Sequence, residues 1–435
     1  MLMQKKLKYK PFKYKAYALV YAVFIMLIVT LITASFIFFA HLHKIYFQDY
    51  RIKEQQIANV MSGIQLVMAA GNSRLPSNGE KISLYGGYYD SVTLSQNQWG
   101  LYDIITAISD YRNFTFRKAA MAGGFYKTNE AVALHLADHN KAVSLCGNTI
   151  LKGLCYLPRA GIKKAMIDGK YFKGVMPSNN QIYHSSDSLP ELLENFLSCS
   201  YQAYEQQVLN EQLFDLVSLE DLQNDSLFNS FFNKPKLIIL NENNSLLYQK
   251  LTGNIIVFSF GNVTVTANSF LKDVLLIAPS IKFEDGFTGT LQAFASDTIL
   301  TGENCQFNYP SSLGIIHTNE PDCDPFILIN SKVDFSGIIC VYVAQNYKGK
   351  AKKPQIRIEE DAHVQGQVYC NGYIEHKGAI EGSLWCDGFL LYRASGLYEN
   401  YMLDAIIDMT QLNEYFTGCD LTGLNNPYKI VKWME

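Results

Sequence analysis

The nine cysteines include no CxxC pair and no grouping with histidine at zinc spacing, which excludes a structural zinc module. Their odd number and wide scatter make a poor disulfide framework, so buried free thiols are expected; Cys146 with Cys155 is the one short-loop bridge left open. Tryptophan is scarce, with three residues against 28 Tyr and 26 Phe, an aromatic usage that suits strands. Acidic residues are missing from residues 1–15, where Lys5, Lys6, Lys8, Lys10, Lys13 and Lys15 stand. Charge, proline and glycine are all missing from residues 16–40, AYALVYAVFIMLIVTLITASFIFFA.

That last absence sets the layout. At about 1.5 Å per residue the stretch makes a helix about 37 Å long, enough to cross a bilayer core of about 30 Å. With six lysines before it, the positive-inside rule keeps 1–15 as a basic cytoplasmic segment and exports the rest. The expectation is a single-pass inner-membrane protein, anchored through residues 16–40, with its bulk periplasmic or extracellular. A cleaved secretory signal is the competing reading, but its apolar core is shorter and ends in a small-x-small site, whereas bulky FIFF precedes Ala40. Removing the six lysines from the net charge of −3 leaves −9 for the exported part, so no nucleic-acid partner is expected.

From His41 to Ala70 there is no proline, and Ile52, Val60, Ile64, Val67 and Met68 recur at helical spacing, so the span continues as a stalk helix over 41–70. An apolar half, an amphipathic half and a globular part laid on the latter resemble the N-terminal architecture of type IV pilins and pseudopilins. ALVYAVFIMLIVTLITAS, residues 18–35, is most similar to minor members whose span begins Ala-Leu-Val. The resemblance implies an assembly role in a pilus-like or secretion-associated machine, with protein partners in the envelope. The chain departs from that pattern in having no glycine before the apolar run and no glutamate near its start.

Residues 71–126 read as a small β domain, an antiparallel sheet packed on the stalk. Within it Trp99–Asp103 reads as a packing anchor at a strand bend. Residues 127–186 carry short apolar alternations punctuated by glycine, the spacing of solenoid coils. His135 and His139 near Asp138 suggest a metal site only on a helix face; in strand and turn they read as a solvated cluster. Residues 187–235 read as a helical insertion, with Ser188 as N-cap and Glu191 closing a capping box ahead of LPELLENFLSCSYQAYEQQVLNEQLF.

From 236 to 390 short strands separated by Gly, Asn, Asp or Ser dominate. GQVYCNG (366–372) recurs as GSLWCDG (382–388), sixteen residues on, the mark of a parallel β-helix. Val368 and Cys370 then point inward and stack on Leu384 and Cys386, with Tyr369 and Trp385 outward. The run 362–388 resembles bactofilin-type β-helices, which implies the coil geometry. Residues 391–435 read as a C-terminal cap, whose last stretch PYKIVKWME is strand-like and suits either the stalk-side sheet or a partner. The fold class is therefore mainly β: a transmembrane helix continuing as a stalk, a small antiparallel sheet, then a parallel β-helix with a helical insertion.

β-Helix lyases and hydrolases need convergent carboxylates. Glu359, Glu360 and Asp361 are consecutive and alternate in direction, Asp322 and Asp324 flank Cys323 in a loop, and Lys348 to Lys353 (KGKAKK) reads as an exposed basic loop. No catalytic, cofactor-binding or metal residue is assigned, and no enzyme activity is expected. A non-catalytic structural or assembly role is the leading expectation. A membrane-tethered carbohydrate-binding or carbohydrate-cleaving β-helix and a bactofilin-like scaffold are the alternatives, and self-association is left open.

Overall fold

The computed structural model describes residues 17–71, 79–87, 89–112, 114–126, 131–222, 225–240, 244–319, 324–344, 352–423 and 427–434. The basic segment 1–15 lies outside them. Helix α1, Tyr17–Ala70, is unbroken, about 80 Å long at the usual rise, and its N-terminal half is long and apolar enough to cross a membrane. Only its C-terminal half is covered: Gln56, Asn59, Val60, Gly63, Ile64 and Val67 form one buried stripe, at alternating steps of three and one that keep them on a single face.

The cover is an antiparallel sheet of β1 (Glu80–Ser83), β2 (Ser91–Trp99), β3 (Tyr102–Tyr111) and β4 (Phe114–Gly123), completed beside β4 by the C-terminal strand Lys429–Met434. Alternation gives the sheet two apolar faces. Val92, Leu94, Ile105, Ala107, Ala120 and Ala122 pack on the helix, where Gly63 permits close approach: a Cβ there would stand 2.8 Å from Leu94 Cδ2. Polar residues in the seam are paired, with Asn59 Nδ2 donating to Tyr89 O at 2.6 Å and the Ser109 hydroxyl to Gln56 Oε1 at 2.6 Å.

The other face of the sheet lies on a parallel β-solenoid. Its strands stack in the order Lys236–Leu240, Ile255–Ser259, Phe270–Phe283, Thr288–Leu300, Gln306–His317, Asp334–Val343, His363–His376 and Ala379–Arg393. Inward residues form a continuous apolar lumen, in which Phe283, Phe287, Phe307 and Phe335 touch ring to ring over neighbouring coils. Val368 and Cys370 stack on Leu384 and Cys386, while Tyr369 pairs with Trp385 on the outside, as the repeat implies.

The order of the coils differs from the order of the chain. Val132–Leu136 does not begin the solenoid but continues it beyond Ala379–Arg393, pairing Leu134 with Leu384 and Leu136 with Cys386; Leu154–Leu157 and Ile182–His184 follow. Residues 401–408, expected as helix or cap, also enter the stack: Tyr401–Leu403 pairs with Val143–Cys146 and Ile406–Asp408 lies between Ala379–Arg393 and Ile150–Lys152. Residues 187–214 then run back along the outside as a strap. Tyr369 donates to Pro190 O (2.8 Å), Leu193 N to Leu421 O (3.0 Å), and Tyr201 stacks on Phe258. The long helix expected here is replaced by two short ones, Glu194–Leu197 and Tyr201–Val208, and the cap is Ser200, which accepts from Ala203 N, not Ser188. The apolar spacing that suggested a helix serves one-sided packing equally well.

The corner between two solenoid faces is built on a column of glycines. Gly337, Gly366 and Gly382 sit at φ 149°, 138° and 152° and pair in register. A Cβ at Gly366 would collide with the Gly337 carbonyl oxygen of the preceding coil, whereas Gly396, at φ 136°, has open space. Gly396→Ala therefore carries only backbone strain, about 1 kcal/mol, and Gly366→Ala is expected to cost about 2–3 kcal/mol beyond that, because a carbonyl held in a ladder cannot yield. Denaturant midpoints of the two variants in detergent check this, and equal losses would contradict it.

Candidate functional site

The chemistry-bearing residues are distributed over three places. The first is the seam between sheet and solenoid. β2 and β3 meet at Gly100, and their turn rests on Gln292, which donates from Nε2 to Trp99 O (2.7 Å) and accepts at Oε1 from Leu101 N (2.8 Å). Trp99 meets the Phe231 ring edge-on at 5.4 Å, so Trp99–Asp103 is a docking element. Gln367 repeats the device further along, bridging Cys419 O (3.0 Å) and Cys419 N (2.8 Å). At the sheet edge Lys432 Nζ bonds both oxygens of Asp273, at 2.8 and 2.7 Å. Beside the seam a cleft of about 20 Å³, lined by Tyr369, Trp385, Cys419 and Leu421 among others, has room for one water.

The second place joins the last coils. His135 is buried between the rings of Trp385 (4.6 Å) and Tyr156 (5.2 Å), and Tyr183 continues the stack. His135 and His139 do not converge. His139 faces Asp387 at 2.9 Å, and Asp138 accepts from Asn140 N and Arg159 N, bonds that hold its carboxyl below the usual range. Burial pushes His135 down to about 4, and it does the same to His376, whose Nε2 faces Ile406 O.

The third place is a set of charge pairs across neighbouring coils. Glu375, nearly inaccessible, receives Arg357 Nε at 2.7 Å and Lys377 Nζ at 3.1 Å, and Lys377 also reaches Glu359 at 3.1 Å. Glu359 is thus engaged in an ion cluster, while Asp361 occupies a turn at φ 62°. Glu375 escaped sequence reading although, one coil on, it follows Ile374 as Arg357 follows Ile356. His363 touches Asp334 (3.1 Å) and Glu381 (3.2 Å) from the coils on either side; burial opposes its charge, but the two carboxylates outweigh that and raise its pKa. Lys352 and Lys141 share Glu399, and Lys353 meets Asp324 at 2.8 Å. Asp322, Cys323, Lys348 and Lys350 lie outside the described residues.

No family model, curated protein or solved structure matches the chain. The site is therefore read from its own geometry. Among the described residues no group of three or more His, Cys, Asp or Glu is gathered as a metal set. Among the described residues eight cysteines are free and buried. Cys146 and Cys155 are not bridged; burial pushes their thiols up to about 11 and about 12, with Asp404 adding to the first, which leaves them protonated and poor nucleophiles. Carboxylates and cations neutralise each other in pairs that cross coils, so the arrangement ties coil to coil and sheet to solenoid.

The buried histidines give the fold an acid limit. Their folded pKa values lie below the ordinary value near 6.5, so between about 6.5 and 4 the unfolded chain binds more protons. Their neutral-state stability is complete above pH 6.5 and is lost as pH falls, by up to about 3 kcal/mol for each histidine. His363 acts in the opposite sense, since its contribution is present at low pH and lost as pH rises through its raised pKa. The net expectation is a melting temperature that falls between pH 7 and pH 4.5, and a smaller fall for His135→Phe. An identical pH profile for variant and wild type would show that His135 stays solvated.

Proposed function

We propose that this protein is a non-catalytic, membrane-anchored envelope protein with a structural or assembly role in a type IV pilus-like or secretion-associated machine, its N-terminus cytoplasmic and its bulk on the far side of the membrane. The observation that carries the reading is α1: one rigid helix whose apolar half is free to lie in a bilayer while its other half is sealed under an antiparallel sheet. That sheet is bonded to the solenoid through Gln292 and Lys432, and Gln367 holds the neighbouring segment at Cys419. A displacement of the helix therefore reaches the solenoid without a flexible hinge along the sheet. Pairing of the charged clusters across coils agrees with a mechanical part better than with a reactive one.

Deleting the gene is expected to impair pilus-type motility, DNA uptake or protein secretion; all three unchanged would end the assembly reading. Mass spectrometry of the mature N-terminus separates two forms of it. Trimming just before the apolar run, near Ala16 or Ala18, marks a pilin-class subunit, and an intact N-terminus marks a permanently anchored assembly factor.

A further inference from the structure

The two ends of the solenoid are unlike in charge and alike in being open. Among the described residues, Ile182–His184 at one end pairs only with Leu154–Leu157, and Ile162–Lys164 only with Val143–Cys146; at the other, Asp215–Leu216 pairs only with Lys236–Leu240, and Ser226–Asn229 only with Lys250–Gly253. Each end thus presents strand edges with backbone donors and acceptors that need a further strand. Residues 155–176, at the first end, expose Arg159, Lys163, Lys164, Lys170 and Lys173 against the single acid Asp168. Residues 215–233, at the other, expose Asp215, Glu220 and Asp225 and hold no Lys or Arg. Some of these charges already have local contacts: Lys170 reaches Asp404, Lys164 lies over Phe172, and Asp215 meets Lys234 at 3.5 Å. The surplus of each sign remains. Exposed apolar residues accompany both, Met166, Tyr171 and Tyr183 at the basic end and Leu213, Leu216 and Phe228 at the acidic end.

We propose that the basic end of one copy stacks on the acidic end of the next, adding the neighbour's first coil as the continuation of its own. The faces correspond. Ile182–His184 and Asp215–Leu216 are the two extremes of one solenoid face, so stacking pairs them in the parallel sense used throughout. Val175, bridged to Ile150, and Ser226–Asn229 are the extremes of another. The contact joins two different surfaces and does not close on itself, so it extends into a row. It buries the apolar residues of both ends and places Lys163, Lys164 and Lys173 against Asp215, Glu220 and Asp225. The contact does not depend on pilin-like behaviour of α1, because its surfaces belong to the solenoid alone.

The test uses the full chain in detergent, with association followed by analytical ultracentrifugation against concentration and salt. Wild type is expected to associate at low salt and to weaken at least about tenfold from 0.1 M to 1 M salt, as the screening length falls from about 10 Å to about 3 Å. Reversing one end, with K163E and K164E or with D215K and E220K, is expected to weaken association at least about tenfold. Reversing both ends in one chain restores opposite signs and is expected to bring association back to near the wild-type level. Circular dichroism and melting of each variant separate loss of contact from loss of fold, and the wild-type salt dependence stands without any variant. The proposal is overturned if wild type remains a single copy at low salt. It is also overturned if reversing one folded end changes nothing, or if the doubly reversed chain stays as weak as the singly reversed ones. Single copies that instead bind phosphatidylglycerol vesicles through Lys163 and Lys164 would reassign the basic end to an anionic surface.

Discussion

One face of the solenoid is apolar on both sides. Its inward residues fill the lumen, and its outward ones, among them Phe258, Ile277, Phe294, Ile316, Ile338 and Tyr369, are as hydrophobic as the lining. Such a strip cannot face water without a large penalty, at roughly 25 cal/mol per Å² of apolar surface. Covering it dictates the remaining architecture. The strap supplies Leu189, Leu192, Phe196, Tyr201 and Tyr204, and the sheet supplies Trp99, Leu101, Tyr102 and Met121. Because that sheet also needs cover on its opposite face, it takes the helix stripe from Val60 to Val67. Solenoid, sheet and long helix are thus joined by a succession of buried faces, and the polar bridges at Gln292 and Lys432 fix the sheet on the solenoid.

What the sequence made legible was local. The long helix follows from composition and spacing, and the coils at 366–388 follow from a repeat whose two copies sit on neighbouring rungs, so that pattern and contact coincide. The destination of residues 131–157 was not legible, since pairing Leu134 with Leu384 leaves no mark within either segment. The strap was misjudged for a related reason: Leu189, Leu192 and Phe196 look like a helix face, and one-sided burial against a flat sheet imposes the same spacing. The C-terminal strand was readable as a strand, and its alternation suited the stalk-side sheet, where Trp433 takes Lys118 over its ring at 3.7 Å.

The site followed the same division. Consecutive acids at 359–361 could be dismissed as a convergent set from strand alternation alone. Glu375, His363 and Asp334 gained their roles only through coil stacking, which brings residues 18 and 29 positions apart into hydrogen-bonding distance. Buried charge of this kind is tolerable when it is fully paired, and here each carboxylate in the cluster has a cation from its own or an adjoining rung.

The reversed order of the coils bears on how the chain reaches its final form. Residues 131–184 precede the other coils in the chain, yet the rung beneath them is made from residues near 384, and contacts such as His139 with Asp387 span 248 positions. Until the segment near 384 is available, these early coils lack the rung they stack on. They must stay unpaired, or be shielded, until nearly the whole chain has emerged. Growth from the first coil upward then ends by meeting strands that have been waiting. Joining the two segments closes a loop of 248 positions, a non-local contact of the kind that slows folding. An ordinary solenoid accumulates stability coil by coil; here the coils of residues 131–184 gain theirs only when two distant segments are joined.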